Sequence, residues 1–342
     1  MRALVTGGAG FIGCNLTAAL VRAGHEVTVV DNLSRRGSLR NLQALLEDPV
    51  AAERVDFRPV DVRDAEGLAA VVADCRPQAV AHLAAQVAVT DSVAHPAVDF
   101  EINARGTLNV LEAVRKHAAD ARVLFTSTNK VYGSLERLRT ERTETRYVLP
   151  EHPDGIAEDF PTLATTPYGV SKLAADLYVQ DYAYTYGLAT TVFRMSCIYG
   201  KWQNGTVDQG WVSWLVKSTL LGNPVTIYGD GLQVRDLLHI DDLVAAMRRV
   251  LADGQGLGEV FNIGGGPEFS VSVWGEFGPL LAELAGRGVP ATYEPRRTGD
   301  QDVYISDIRK ARKLLGWKPE RAPRDGIAEM TEWLRVENQL VD

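Results

Sequence analysis

Ala3-Leu4-Val5-Thr6-Gly7-Gly8-Ala9-Gly10-Phe11-Ile12-Gly13 is the stretch that decides the fold. A short apolar run ends at Thr6, glycines follow at 7, 8, 10 and 13, and a helical pattern begins at once. Glycine is needed where a backbone turns tightly and comes close to another group, and the first turn of a helix leaves several N–H groups without partners. Together with the positive end of the helix dipole, those N–H groups make a seat for phosphate. The next apolar run, 26–30, ends on Asp31. Strand, glycine turn, helix and acid in this order are the fingerprint of a dinucleotide-binding βαβ unit. Gly7 and Gly10, with Phe11 and Ile12 behind them, are placed to meet a pyrophosphate, and Asp31 to accept from the adenosine ribose. A 2′-phosphate there would meet like charge, which favours NAD over NADP, with Arg35 and Arg36 the residues able to reverse that preference.

Beyond this unit, apolar runs at 56–60, 79–83 and 123–126 continue the strand–helix alternation, with later strands at 190–194 and 260–263. Runs apolar on both sides suit parallel strands covered by helices on both faces, and right-handed crossovers wind them into a doubly wound sheet. The clearest helices are 100–118 and 167–186, the second with Thr166 as N-cap, Pro167 in its first turn and Gly187 at its stop. Residues 134–160 break the rhythm with charge and proline and read as an inserted loop or flap, a solvated excursion being the alternative. The expected architecture is α/β: a Rossmann domain of 1–194 plus 236–265, and a smaller, partly discontinuous substrate-binding domain of 195–235 plus 266–342. Asp61 and Val62, after the third strand, are placed to meet an adenine, with a plain helix N-cap the alternative for Asp61.

Of the 342 residues, 46% are hydrophobic and 23% charged, which excludes a disordered chain. The 36 Lys and Arg against 44 Asp and Glu give a net charge of −8, and the basic residues are scattered, so nucleic acid is not an expected partner. Cys14, Cys75 and Cys197 form no CxxC pair, which points away from a metal site or disulfide framework and towards a reducing cytoplasm. No apolar stretch reads as a leader or a membrane span, so a soluble, unprocessed protein is expected.

Tyr168 and Lys172 lie four apart at the start of the long helix and share one of its faces. A neighbouring ammonium and the positive helix end both favour a phenolate, which makes Tyr168 a candidate acid and base. Thr128 closes the strand run at the carboxyl edge of the sheet, where ligands of open α/β sheets bind, and its hydroxyl can orient a reacting oxygen.

These elements in this order resemble the extended short-chain dehydrogenase/reductase family over essentially the whole chain. Further marks are His82-Leu83-Ala84-Ala85, Asn103 in Glu101-Ile102-Asn103, and Tyr228-Gly229-Asp230-Gly231 running to Arg235-Asp236. The resemblance implies a cofactor set that adds Asn32, Ser34, Arg35, Leu83, Ala84, Ala85, Gln86, Asn103, Thr126 and Met195 to Gly7, Gly10, Phe11, Ile12, Asp31, Asp61, Val62, Tyr168 and Lys172. It also implies a nucleotide-sugar substrate met by Val87, Thr128, Asn129, Lys130, Ser196 and Gln209, with Arg235 and Arg297 on its diphosphate. An arginine fork grips two phosphate oxygens at once. Homodimers or homotetramers are implied through helices 100–118 and 167–186.

Dehydratases of that family carry an Asp-Glu pair after the strand-end threonine, and here Asn129 and Lys130 stand in its place. Neither an amide nor an ammonium can replace two carboxylates as acid and base, so dehydration is disfavoured. The run Thr128-Asn129-Lys130-Val131-Tyr132-Gly133, the inserted Glu144-Thr145-Arg146-Tyr147, and Gln233-Val234-Arg235-Asp236 resemble the subgroup of CDP-paratose 2-epimerases, also called CDP-tyvelose epimerases. That implies inversion of C2 in a CDP-linked dideoxyhexose by transient oxidation to a keto-sugar. A UDP- or GDP-sugar 4-epimerase and an NAD(P)H-consuming reductase are rival readings on the same fold, and a non-catalytic NAD-sensing module is a remote one. Cys197 reads as a small core residue.

Overall fold

A computed structural model describes residues 1–337. Seven parallel strands form the central sheet: β1 (Arg2–Thr6), β2 (Glu26–Val30), β3 (Val55–Arg58), β4 (Ala79–His82), β5 (Arg122–Thr128), β6 (Thr190–Met195) and β7 (Val260–Ile263). Their order across the sheet is β7-β6-β5-β4-β1-β2-β3. Strand order reverses between β1 and β4, and the carboxyl ends of these neighbours open the crevice where a doubly wound sheet takes its ligand.

Alternation along β1 explains why the run is apolar throughout. Ala3 and Val5 join Leu16, Leu20, Leu243 and Met247 on one face, while Leu4 joins Leu68, Val72, Val110 and Val179 on the other. Helices Phe11–Arg22 and Ile240–Leu251 therefore cover one side, and Ala65–Cys75, Gly106–His117 and Pro167–Tyr186 the other. The long helix has the expected ends: Thr166 accepts from Gly169 N at 3.2 Å, and Gly187 stops it in the left-handed region at φ +71. The expected helix 100–118 is less regular, with a π turn at Glu101–Arg105 leading into Gly106–His117.

A second, smaller sheet is built on strand Val234–His239, which pairs with Ser270–Ser272, Val303–Tyr304 and Cys197–Tyr199. The boundary expected after residue 235 falls inside that strand. Helix Trp211–Leu220 and helix Phe277–Ala285 pack beside it around Val212, Leu215, Phe277 and Leu281.

Residues 134–160 are not a solvated excursion. Leu135, Leu149 and Ile156 are buried with Val131, Tyr132, Val234 and Tyr304. A short hairpin, Glu141–Arg142 against Tyr147–Val148, is pinned from outside: Arg146 makes a forked pair with Glu276, and the Tyr147 hydroxyl donates to Asp230 at 2.7 Å. Deeper in, Arg194 is buried against Asp176 and donates to the Glu158 carbonyl, tying the insertion to β6. Of the charges that suggest solvent in the sequence, Arg139, Glu141, Arg146 and Asp154 stand in ion pairs.

Candidate active site

The glycine turn is shaped by close approach. Gly7 holds φ +69, and a Cβ there would stand 2.7 Å from Ala84 N at the end of β4. A Cβ on Gly13 would lie 2.3 Å from the Gly7 carbonyl. Gly10 caps helix Phe11–Arg22 without any side-chain bond, which leaves the first N–H groups of the helix open to an anion. This cradle fits a dinucleotide pyrophosphate.

Asp31 is aimed by two backbone donors, Ala9 N at 3.1 Å and Leu33 N at 2.8 Å. Burial raises its carboxyl above the ordinary range while those bonds oppose the rise. Asn32 donates to Asp61 at 2.7 Å, and Ser34 bonds back to Asn32. Asp61 is no helix cap, because Asp64 caps the following helix. Its carboxyl is held down at about 2, chiefly by Arg63. Val62 is buried against Gly106, and Arg35 is exposed on the loop after β2.

The segment after β4 is set by a buried polar network. Leu83 N and Ala84 N reach Thr6, and Ala85 and Gln86 follow. Asn103 sits behind them on the π turn, exchanging bonds with the Gln86 backbone at 2.9 and 3.0 Å and donating to Asp99 and Ser171. It positions the cofactor wall from behind. His82 is buried between the Thr6 and Thr107 hydroxyls, and burial depresses its imidazole to about 3, so it stays neutral.

At the carboxyl end of β5, Thr128 and the Tyr168 phenol line the same cavity. Burial drives that phenol up to about 12, Thr128 opposing and nearby Asp99 adding to the rise. Lys172 is buried too, and its Nζ donates to the Thr126 carbonyl at 2.6 Å and lies over the Phe125 ring. Burial lowers its ammonium to about 7. The sequence reading has Lys172 and the helix end favouring phenolate; at Tyr168 desolvation is the larger influence and favours the neutral phenol.

A cavity of about 660 Å3 extends from this point. Phe11, Ile12 and Met195 line its cofactor side, with Thr128 and Tyr168 at the centre. Its walls bring together Val87, Asn129, Lys130, Ser196, Gln209, Arg235 and Arg297, residues spread over more than two hundred positions of sequence. Arg235 donates to Asp300 at 2.6 Å and to the Gln301 carbonyl at 2.7 Å. Arg297 donates to the Val207 carbonyl and stacks 3.8 Å over Tyr228. Ser196 is bonded to Asp236, which also takes Gly266 N and Ser306 N. Cys197 packs against the core of the second sheet, as expected, and also lines the cavity, accepting from Trp211 Nε1 at 3.4 Å. Asp300, Tyr228 and Gln233 are wall residues that sequence reasoning left without a role. Their signal in sequence was the resemblance carried by Tyr228-Gly229-Asp230-Gly231, Gln233-Val234-Arg235-Asp236 and Asp300-Gln301, which gave them no individual role.

Residues 4–330 match the family model described as GDP-mannose 4,6 dehydratase. The chain belongs to this family. It is 40% identical to the CDP-paratose 2-epimerase of Salmonella typhi, the alignment covering 97% of this chain and 99% of that protein. It is 32% identical to the UDP-glucose 4-epimerase of Mycolicibacterium smegmatis, over 99% of this chain and 100% of that one. Among solved structures, the UDP-glucose 4-epimerase of Thermotoga maritima with UDP-glucose superposes with a TM-score of 0.85 at 33% identity, over 99% and 100% of the two chains. The extended short-chain dehydrogenase/reductase architecture expected from sequence is therefore the one present. The dehydratase in the family's description does not extend to the Asn129-Lys130 positions, where the carboxylate pair is missing.

Proposed function

We propose that this chain is an NAD-dependent nucleotide-sugar epimerase, and that its reaction inverts C2 of a CDP-linked dideoxyhexose of the paratose/tyvelose type through a keto-sugar. One observation carries the reading: the cavity that holds Thr128 and Tyr168 also holds two arginines for a diphosphate, and Asn129 and Lys130 rather than two carboxylates follow Thr128 in its wall. The 40% identity to a CDP-paratose 2-epimerase supports the choice of base and carbon.

Gly7, Gly10 and the open helix end would hold the NAD pyrophosphate, and Asp31 its adenosine ribose. Bound there, NAD supplies a resident hydride acceptor and donor. The remaining tasks fall to side chains. Tyr168 takes the proton of the C2 hydroxyl as the alcohol becomes a ketone, and gives it back after the sugar has presented its other face. Thr128 orients the oxygen. Arg235 and Arg297 anchor the diphosphate while the sugar turns. Substrate and product stand at one oxidation level, so no net redox change results. With the phenol at about 12, deprotonation at pH 8 costs about 5 kcal/mol at 1.36 kcal/mol per unit, so proton removal is coupled to filling the site.

The test is CDP-paratose carrying deuterium at C2, given to purified protein without added NAD and followed by proton NMR. CDP-tyvelose that keeps its deuterium is expected. Label washed out would refute transient oxidation, and absence of product would move the assignment to C4 of UDP- or GDP-sugars.

We further infer a homodimer or homotetramer. Phe100 from the helix at Pro96–Phe100, and Val170, Leu177 and Tyr178 from helix Pro167–Tyr186, stand exposed. Light scattering that reports a monomer at micromolar concentration would contradict this. Free Cys14, Cys75 and Cys197 suit a cytoplasmic setting, and among the described residues no helix is long and apolar enough to cross a membrane.

A further inference from the structure

Lys130 follows Thr128 and Asn129 at the end of β5 and lines the same cavity as Tyr168. An ammonium carries three N–H donors. Two are directed at the loop of residues 297–301: Nζ is 3.2 Å from the Gly299 carbonyl and 3.5 Å from Gln301 Oε1. Gln301 is fully buried and donates to the Gly133 carbonyl at 2.7 Å, which fixes the loop against the catalytic strand. From the same loop Asp300 places Oδ1 2.6 Å from Arg235 Nη2 and 3.9 Å from Lys130 Nζ. One carboxylate thus serves two cations. The third Lys130 donor has no hydrogen-bond acceptor in the protein among the described residues, and its side chain, 21% exposed, lines the cavity, where a ligand oxygen can meet it. Diphosphate oxygens already have Arg235 and Arg297, whereas Lys130 stands two residues from Thr128, beside the reacting end of the sugar.

Resting on the epimerase reading, we propose that Lys130 donates a hydrogen bond to a sugar oxygen at the reacting end of the cavity, and that Asp300 is the positioning residue that aims it. The chain then uses an ammonium where a carboxylate would remove water. The charged and titratable groups facing Lys130 are Asp300, Arg235 and Cys197. Burial and Arg235 pull its ammonium down to about 8 while Asp300 raises it. The charged donor is therefore lost as pH rises through 8, and removing the Asp300 charge moves that loss to lower pH.

Three proteins are compared: wild type, Lys130→Met and Asp300→Asn, each checked for an unchanged melting profile, with Lys130→Gln standing in should the methionine variant misfold. Lys130→Met is expected to lower kcat roughly 10- to 100-fold, the range for a hydrogen bond to a charged group, while the Kd for CDP alone shifts less than about threefold. In Asp300→Asn the basic limb of the kcat profile moves to lower pH. Unchanged kcat in both Lys130 variants overturns the proposal, as does a loss of CDP affinity equal to the loss of turnover, which would put Lys130 on the phosphates. An unmoved pH profile in Asp300→Asn overturns the role of Asp300. Calorimetry separates this proposal from the reading beneath it. Wild type inert on CDP-paratose defeats the C2 assignment, whereas tighter binding of CDP-paratose than of CDP that survives in Lys130→Met defeats the lysine alone.

Discussion

Lys172→Met should make the protein more stable and nearly inactive, and the two effects should separate with pH. Burial lowers the Lys172 ammonium from an ordinary 10.5 to about 7. For a base whose folded value is depressed, the penalty is fully present below the folded value and fades as pH rises towards the unfolded one. At pH 7 the difference of about 3.5 units is worth about 4 kcal/mol at 1.36 kcal/mol per unit. Methionine removes that penalty but forfeits the 2.6 Å bond to the Thr126 carbonyl and the cation over Phe125, each worth about 1 kcal/mol. The net gain is about 2 kcal/mol, or on the order of 4 °C in Tm for a chain of this size. At pH 9.5 the wild-type penalty has shrunk to about 1 kcal/mol, so the two melting curves should meet or cross. Turnover should fall about 100-fold or more at pH 7, because the amine that shares a helix face with Tyr168 is gone. Thermal melts of both proteins at pH 7 and 9.5 provide the assay. A variant less stable than wild type at pH 7, or a difference that ignores pH, would refute the claim that Lys172 is held at the expense of the fold.

Gly7→Ala places a methyl 2.7 Å from Ala84 N at φ +69, so dinucleotide affinity measured by fluorescence titration should drop by about 100-fold or more while circular dichroism stays native. Asp31→Asn removes the charge that opposes a 2′-phosphate, and the ratio of NAD to NADP affinity should fall at least about tenfold; an unchanged ratio would mean that Arg35 and Arg36 already dominate. Arg146→Ala releases the forked pair with Glu276 and the bond to Ser270, loosening the hairpin that braces the Asp230 turn. KM should rise roughly five- to tenfold with kcat within about twofold, and equal losses in both would place the hairpin in the chemistry instead.

How much of this was legible beforehand depends on the range of the interactions. The sheet was legible because parallel strands buried on both faces leave continuous apolar runs, and β1, β2, β4, β6 and β7 lie where those runs lie. The glycine turn was legible because its constraint is local, a backbone that must pass Ala84 without a Cβ. How the insertion packs was not legible, for the opposite reason. Its Arg146 finds Glu276 across 130 residues and its Asp154 finds Arg309 across 155, and a charge matched at that distance looks in sequence like a charge in water.

The same limit explains the chemical site. Tyr168 and Lys172 share a helix, so spacing alone joins them, but the environment that sets their protonation comes from β5 and from the Asp99 network behind the helix. Helical spacing suggests mutual charge assistance, and desolvation, a tertiary term, is the larger influence at Tyr168. Asp300 is a still clearer instance. It lies 170 residues from Lys130 and 65 from Arg235, and no local pattern distinguishes it from Asp302 two places on, which pairs outward with Arg296. Which of the two faces the cavity is decided by buried Gln301 between them, whose amide is committed to Gly133. If Lys130 and Asp300 set specificity as proposed, that element rests on loop packing against the turn after β5, and changes of substrate should arise there without disturbing the crevice between β1 and β4.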